Sequence, residues 1–120
     1  KCLGFLGGQD LLNIFVASKI VFYAAPSIFG GNIVMEAMAS GSIALRSHHA
    51  KYPDDDFFFK DGVSGLLYEE NNIRDCSEKL HVAWENNSIG AKAKEVAIQK
   101  HDWHESIKKF DALYSQLVKS

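Results

Sequence analysis

The chain is 120 residues long and 47% apolar, enough to bury one ordinary core at the usual size of a single domain. Charged residues make up 23% and the formal net charge is only −2, so no strong field is available to hold nucleic acid, which argues against that class of partner. Cys2 and Cys76 are too sparse for a disulfide framework and fit a reducing cytosol, while the longest apolar stretch, near residues 20–28, is too short to span a bilayer, so a soluble protein is expected.

In chain order, residues 3–6 (Leu-Gly-Phe-Leu) read as a short buried strand stopped by Gly7 and Gly8, and because the chain opens at Lys1 directly on this apolar run, upstream residues are expected. Residues 9–19 carry Leu11, Leu12, Phe15 and Val16 at helical spacing. Ile20, Val21, Phe22 and Tyr23 are β-branched or aromatic and uncharged, as in a strand covered on both faces, and Pro26-Ser27 ends it. After a glycine turn at Gly30-Gly31, Asn32 is expected to cap a helix over residues 33–40 that stops at Gly41. Residues 42–46 read as another buried strand. Residues 47–62 are polar, hold Pro53 and the run Asp54-Asp55-Asp56, and show no period apart from Phe57-Phe58-Phe59; they read as a long loop or a broken element, with the aromatic trio in core packing or a covered loop rather than a sugar-stacking platform.

Residues 63–68 fit a further strand, and Asn72 with Asp75 starts a helix with Ile73, Cys76, Leu80 and Ala83 or Trp84 as its apolar face. From Ser88 the chain reads as a helix that breaks at His101. Asp102 and Glu105 form a capping-box pattern that starts a last helix over residues 102–120, with Trp103, Ile107, Phe110, Tyr114 and Leu117 as a face buried in this domain or, alternatively, against a partner domain. Strands alternating with helices predict one α/β domain over residues 1–120, a parallel sheet with helices on both faces.

In open parallel sheets ligands bind beyond the carboxyl ends of the strands, which directs attention to residues 26–36. Gly30 and Gly31 lack side chains, so backbone N–H groups there can approach a ligand closely, and the following helix start adds unpaired donors and a partial positive charge, a chemistry suited to a diphosphate. Glu36 lies one helical turn beyond Asn32, where its carboxylate can accept two hydrogen bonds from vicinal hydroxyls such as those of a ribose. Taken alone, a glycine pair usually only makes a tight turn, and a helical glutamate is usually a solvated surface residue.

The run Pro26-Ser27 followed by Gly31-Asn32-Ile33-Val34-Met35-Glu36-Ala37-Met38-Ala39-Ser40-Gly41 resembles the donor-site motif of family 4 (group 1) glycosyltransferases. These enzymes have two Rossmann-like domains in the GT-B arrangement. The resemblance extends from Phe5-Leu6-Gly7 through Lys60-Asp61-Gly62-Val63-Ser64-Gly65-Leu66-Leu67 to Asp102-Trp103, with agreement in order and spacing. It implies a Rossmann-like fold for the C-terminal, donor-binding domain, cut short on its N-terminal side. It also implies a retaining transfer, without a metal ion or other cofactor, from a nucleotide-diphosphate sugar to an acceptor bound by an N-terminal domain absent from this chain. Carried to the matching positions, Glu36 would hold the ribose and the backbone of Gly30, Gly31, Asn32, Ile33 and Val34 would meet the diphosphate. Two departures stand out. The family usually has another glutamate eight residues before Glu36, where this chain has Ile28 in a segment between Pro26 and Glu36 two residues shorter than usual; and the family's basic residues that neutralise the leaving diphosphate are expected upstream, outside this chain, so the chain alone is not expected to turn over. The expected setting is the cytoplasm, free or at the inner face of a membrane that holds the acceptor. A nucleotide-sugar 2-epimerase of the same architecture and a non-catalytic glycosyltransferase-like subunit are the alternatives.

His48 and His49 follow a predicted strand end, where either could reach a donor phosphate or sugar; the plain alternative is a pair of exposed loop histidines. His101 and His104 are three apart without a third ligand at suitable spacing, and the Asp54-Asp55-Asp56 run lacks the glycine and distal glutamate of a calcium loop, so no metal is expected.

Overall fold

The computed structural model describes residues 2–24, 31–48 and 58–119. Within them, three parallel strands, β1 (Ile20–Tyr23), β2 (Ile43–His48) and β3 (Leu66–Glu69), lie in the order β1-β2-β3. Ile20 pairs with Ile43 on one side of β2, and Leu45 with Leu66 on the other. The helices are α1 (Gly8–Ala17), α2 (Gly31–Ser40), α3 (Ile73–Glu85), α4 (Ser88–His101) and α5 (Trp103–Lys119).

The central strand shows why the fold needs helices on both faces. Side chains alternate along a strand, so Ala44 meets Phe15, Val34, Met38 and Ala93 from α1, α2 and α4, whereas Ile43 and Leu45 meet Leu66, Ala83 and Ile89 on the opposite side. The fold is therefore α/β and Rossmann-like, as the alternation of elements predicts. Among the described residues no helix is long and apolar enough to cross a membrane.

Between α2 and β2 the chain reverses in a tight glycine turn. Gly41 adopts φ +89°, its N–H donates to the Met38 carbonyl (3.0 Å), and the Ser42 N–H donates to the Ala37 carbonyl (3.0 Å). This is the paired closing pattern that a left-handed residue after a helix allows. Ser42 is 1% exposed, and its hydroxyl lies 2.7 Å from the carbonyls of both Phe15 and Ser18, joining this turn to the end of α1. Against the same turn packs α4, through a face of small residues, Gly90, Ala93 and Ala97. A Cβ on Gly90 would stand 2.4 Å from the Gly41 carbonyl oxygen, so only glycine permits this approach.

Several boundaries match the sequence pattern. The Asn72 side chain accepts from the Asp75 N–H (3.0 Å) at the start of α3, and Asp102 ends α4 with its carboxylate accepting from the His104 N–H (2.8 Å) as α5 begins. Phe58 and Phe59 are buried as expected of the aromatic trio; Phe57, Pro53 and the aspartate run lie outside the described residues.

Other expectations are corrected. Residues 2–7 form no regular element, and Phe5 is 98% exposed, because among the described residues no strand lies beside them to ladder with. Among the described residues β1 is an edge strand, and Phe22 is half exposed rather than covered. Asn32 sits inside α2 instead of capping it, since the helix already starts at Gly31. β3 begins only at Leu66: the Val63 and Ser64 N–H groups turn back to the Lys60 carbonyl (3.1 and 3.0 Å), with Gly62 at φ +73°. On α3 the residues facing inward are Ala83 and Cys76, small enough for close packing on the sheet, while Ile73 and Trp84 face solvent. The stripe Trp103, Ile107, Phe110, Tyr114 and Leu117 is 49–73% exposed, because α5 leaves the body of the fold after Asp102 and packs only marginally on other elements. Amphipathic spacing marks a face fit for burial without saying against what.

Gly90→Ala is expected to force α4 off the Gly41 turn and destabilise the fold by about 1–3 kcal/mol, as overpacking does. Urea denaturation would measure it, and an unchanged midpoint would remove this contact from the account of the fold.

Candidate functional site

In a parallel α/β layer the start of α2 and the end of β2 lie at the same edge of the sheet. There Gly31 opens α2 at φ +59°, a left-handed conformation, with open space where a Cβ would stand. No acidic side chain occupies the first turn, so the partial positive charge of the helix start is uncompensated from within. Asn32 and Ile33 are exposed beside it. Val34 is 1% exposed and belongs to the core, which leaves only its backbone to face a ligand. Gly30 and Ile28 lie outside the described residues.

Glu36 is exposed and borders a cleft of about 470 Å³ between α1 and α2. The α1 wall is apolar, formed by Leu11, Leu12, Phe15 and Val16; Lys94 of α4 also lines the cleft. Lys94 is held there by the helix packing: it follows Gly90 by one turn, and its Cδ lies 3.9 Å from where a Gly41 Cβ would be. Among the described residues neither Glu36 nor Lys94 pairs with another charge, whereas Lys92 on the same helix is bound to Glu95 at 2.8 Å. The cleft thus offers an acceptor at one point, a cation at another and an apolar wall between them. Its volume lies in the ordinary range for small-molecule sites.

His48 is half-buried as the last residue of β2, opposite Glu69 of β3, and does not line the Glu36 cleft. His49 lies outside the described residues. His101 ends α4 and His104 stands exposed on α5; among the described residues no three His, Cys, Asp or Glu side chains converge as a metal-ligand group.

Two residues escaped sequence reasoning. Lys94 carries no local signal, since a lysine on a helix reads as a solvated one and its position follows from the α2–α4 contact. Arg46 is only 5% exposed, its guanidinium carbon 5.6 Å from the Phe58 ring centroid and 5.9 Å from that of Phe59. Contact with aromatic faces offsets part of the cost of burying that charge.

The chain matches no protein-family model. It is 27% identical over 103 residues to the sulfoquinovosyl transferase SQD2 of Arabidopsis thaliana, an alignment that covers 83% of this chain and 20% of that protein. The fold superposes on the crystal structure of Anabaena Alr3699/HepE in complex with UDP and glucose with a TM-score of 0.79, at 22% identity, over 97% of this chain and 32% of that one. The 120 residues therefore span a fifth to a third of the length of these two proteins.

At Gly31 the backbone sets the constraint and space does not. Gly31→Val is expected to cost about 1–2 kcal/mol of stability and Gly31→Asn distinctly less, because asparagine tolerates the left-handed region. Thermal unfolding of the two variants measures the difference; equal losses would mean that crowding matters there instead.

Proposed function

We propose that this chain is the donor-binding part of a retaining GT-B glycosyltransferase of family 4, which takes a nucleotide-diphosphate sugar. The observation that carries the reading is Glu36, set one turn beyond the exposed start of α2 and bordering a cleft large enough for a nucleoside. Similarity to a sulfoquinovosyl transferase supports the reaction class, and the shared fold of a protein crystallised with UDP and glucose supports a nucleotide sugar as ligand.

In this reading the backbone from Gly30 to Val34 meets the diphosphate and Glu36 accepts hydrogen bonds from the ribose hydroxyls. As the sugar departs, negative charge grows on the leaving diphosphate, and donors already aimed at it stabilise that change without reorganising. A helix start supplies such donors, and the family resemblance implies that the transfer needs no metal ion. The acceptor is held by an N-terminal domain beyond these 120 residues, in the cytoplasm or at the inner face of a membrane. Ile28 stands where the family's sugar-contacting glutamate would be, so another group must serve the sugar.

Calorimetric titration of the full-length protein with nucleoside diphosphates and their sugar conjugates tests the donor site. One conjugate is expected to saturate it, and Glu36→Gln to weaken binding by about 1–3 kcal/mol, the scale of a lost charge-assisted hydrogen bond. A Glu36→Gln protein that binds as tightly as the native one would refute the ribose role. NMR of the product should show the anomeric configuration of the donor preserved; tight binding without any turnover would favour the non-catalytic subunit.

A further inference from the structure

We propose that His48 binds the β-phosphate of the nucleotide-diphosphate sugar, the phosphate that carries the sugar and keeps the negative charge when the sugar leaves. The inference rests on the reading of α2 and Glu36 as the donor site and adds to it a group on the neighbouring strand.

Height along the sheet brings His48 to the site. From the turn at Gly41 and Ser42, α2 and β2 extend toward the same edge. The 10 residues of α2 span about 15 Å and the 6 residues of β2 about 17 Å from end to end. The first turn of α2 and the end of β2 are therefore level. Orientation follows from the alternation of side chains along a strand. Ala44 packs in the core beneath α2, and Arg46, two residues on, meets Phe58 and Phe59 on that same side, so His48 also points toward the α2 layer. Half-buried there, its imidazole rises beside the first turn of α2.

On one flank of α2 lies α1, which with it forms the cleft bordered by Glu36; on the other lies α4, which also packs on β2. A donor with its ribose at Glu36 and its diphosphate across the amino end of α2 thus runs from the α1 flank toward β2, and meets His48 with the β-phosphate. An imidazole, neutral or charged, presents an N–H to a phosphate oxygen. Arg46 adds a buried positive charge on the same face of the strand. The register partner of His48 is Glu69, whose carboxylate is drawn to the cap of α3: its Oε2 accepts from Asn72 Nδ2 at 2.8 Å. Among the described residues the His48 side chain has no hydrogen-bond or ionic partner, which leaves its ring nitrogens to a ligand.

The experiment compares diphosphate with monophosphate, UDP with UMP, GDP with GMP and ADP with AMP, by calorimetry on the full-length protein, for the native chain, His48→Ala, His48→Gln and Glu36→Gln. For the base that binds, His48→Ala is expected to weaken the diphosphate about tenfold, the scale of one hydrogen bond to a charged group, and to leave the monophosphate within about twofold, with the melting temperature unchanged. His48→Gln keeps an N–H donor and should recover part of the loss. Glu36→Gln should weaken monophosphate and diphosphate alike. If His48→Ala leaves diphosphate affinity intact, or weakens both members of the pair equally, His48 makes no contact with the β-phosphate and the donor-site reading stands on Glu36 without it. If no nucleoside diphosphate binds the native protein, the donor-site reading fails and the role of His48 fails with it.

Discussion

The approach of Gly90 to the Gly41 carbonyl sets the spacing of one whole side of the sheet. Because nothing larger than hydrogen fits there, α4 settles against the turn where α2 hands over to β2, and Ala93 and Ala97 continue the contact along α4. With its carboxyl end held in this way and its middle buried through Val34, Ala37 and Met38, α2 has little freedom to roll. Its amino end then opens at the edge where the strands finish, and Glu36 is turned toward α1. The same contact brings Lys94 to the lining of that cleft. A packing constraint at the amino edge of the sheet thus determines where two charged groups stand relative to each other.

Charges of both signs gather at the carboxyl edge of the sheet. The start of α2 has no acidic side chain in its first turn, and Arg46 lies buried on the α2-facing side of β2, while Glu69 ends β3 opposite His48. The aromatic pair Phe58-Phe59 shelters this guanidinium and at the same time anchors the return toward β3. Ring faces and cation hold one another in place, and Gly65 gives the Phe59 ring room, since a Cβ there would lie 2.4 Å from it.

Much of the fold was legible because its signals are local. Asn72 with Asp75, Gly41 after an alanine-rich helix, and Asp102 after His101 each mark an element end through backbone groups within a few residues, and the structure uses all of them. Misreadings arose where burial depends on distant neighbours. Leu3 and Phe5 have the composition of a buried strand and no strand beside them among the described residues. Val63 has the right side chain for β3, yet the Lys60 carbonyl and Gly62 draw it into a turn. For the candidate site the division is similar. The glycine and glutamate of α2 stand out by type and spacing within one helix, whereas Lys94, more than fifty residues later, enters only through the packing of two helices.

Both tryptophans of the chain lie on its surface, Trp84 66% and Trp103 73% exposed. Trp84 shares its ring with the Lys19 ammonium, 5.3 Å from the ring centroid, on the side where α3 meets the entry to β1. Trp103 opens the uncovered stripe of α5. The intrinsic fluorescence of these 120 residues is consequently a surface signal: its emission is that of wet indoles while the core is intact, and it responds less to melting of the interior than to a change in the exposure of α3 and α5.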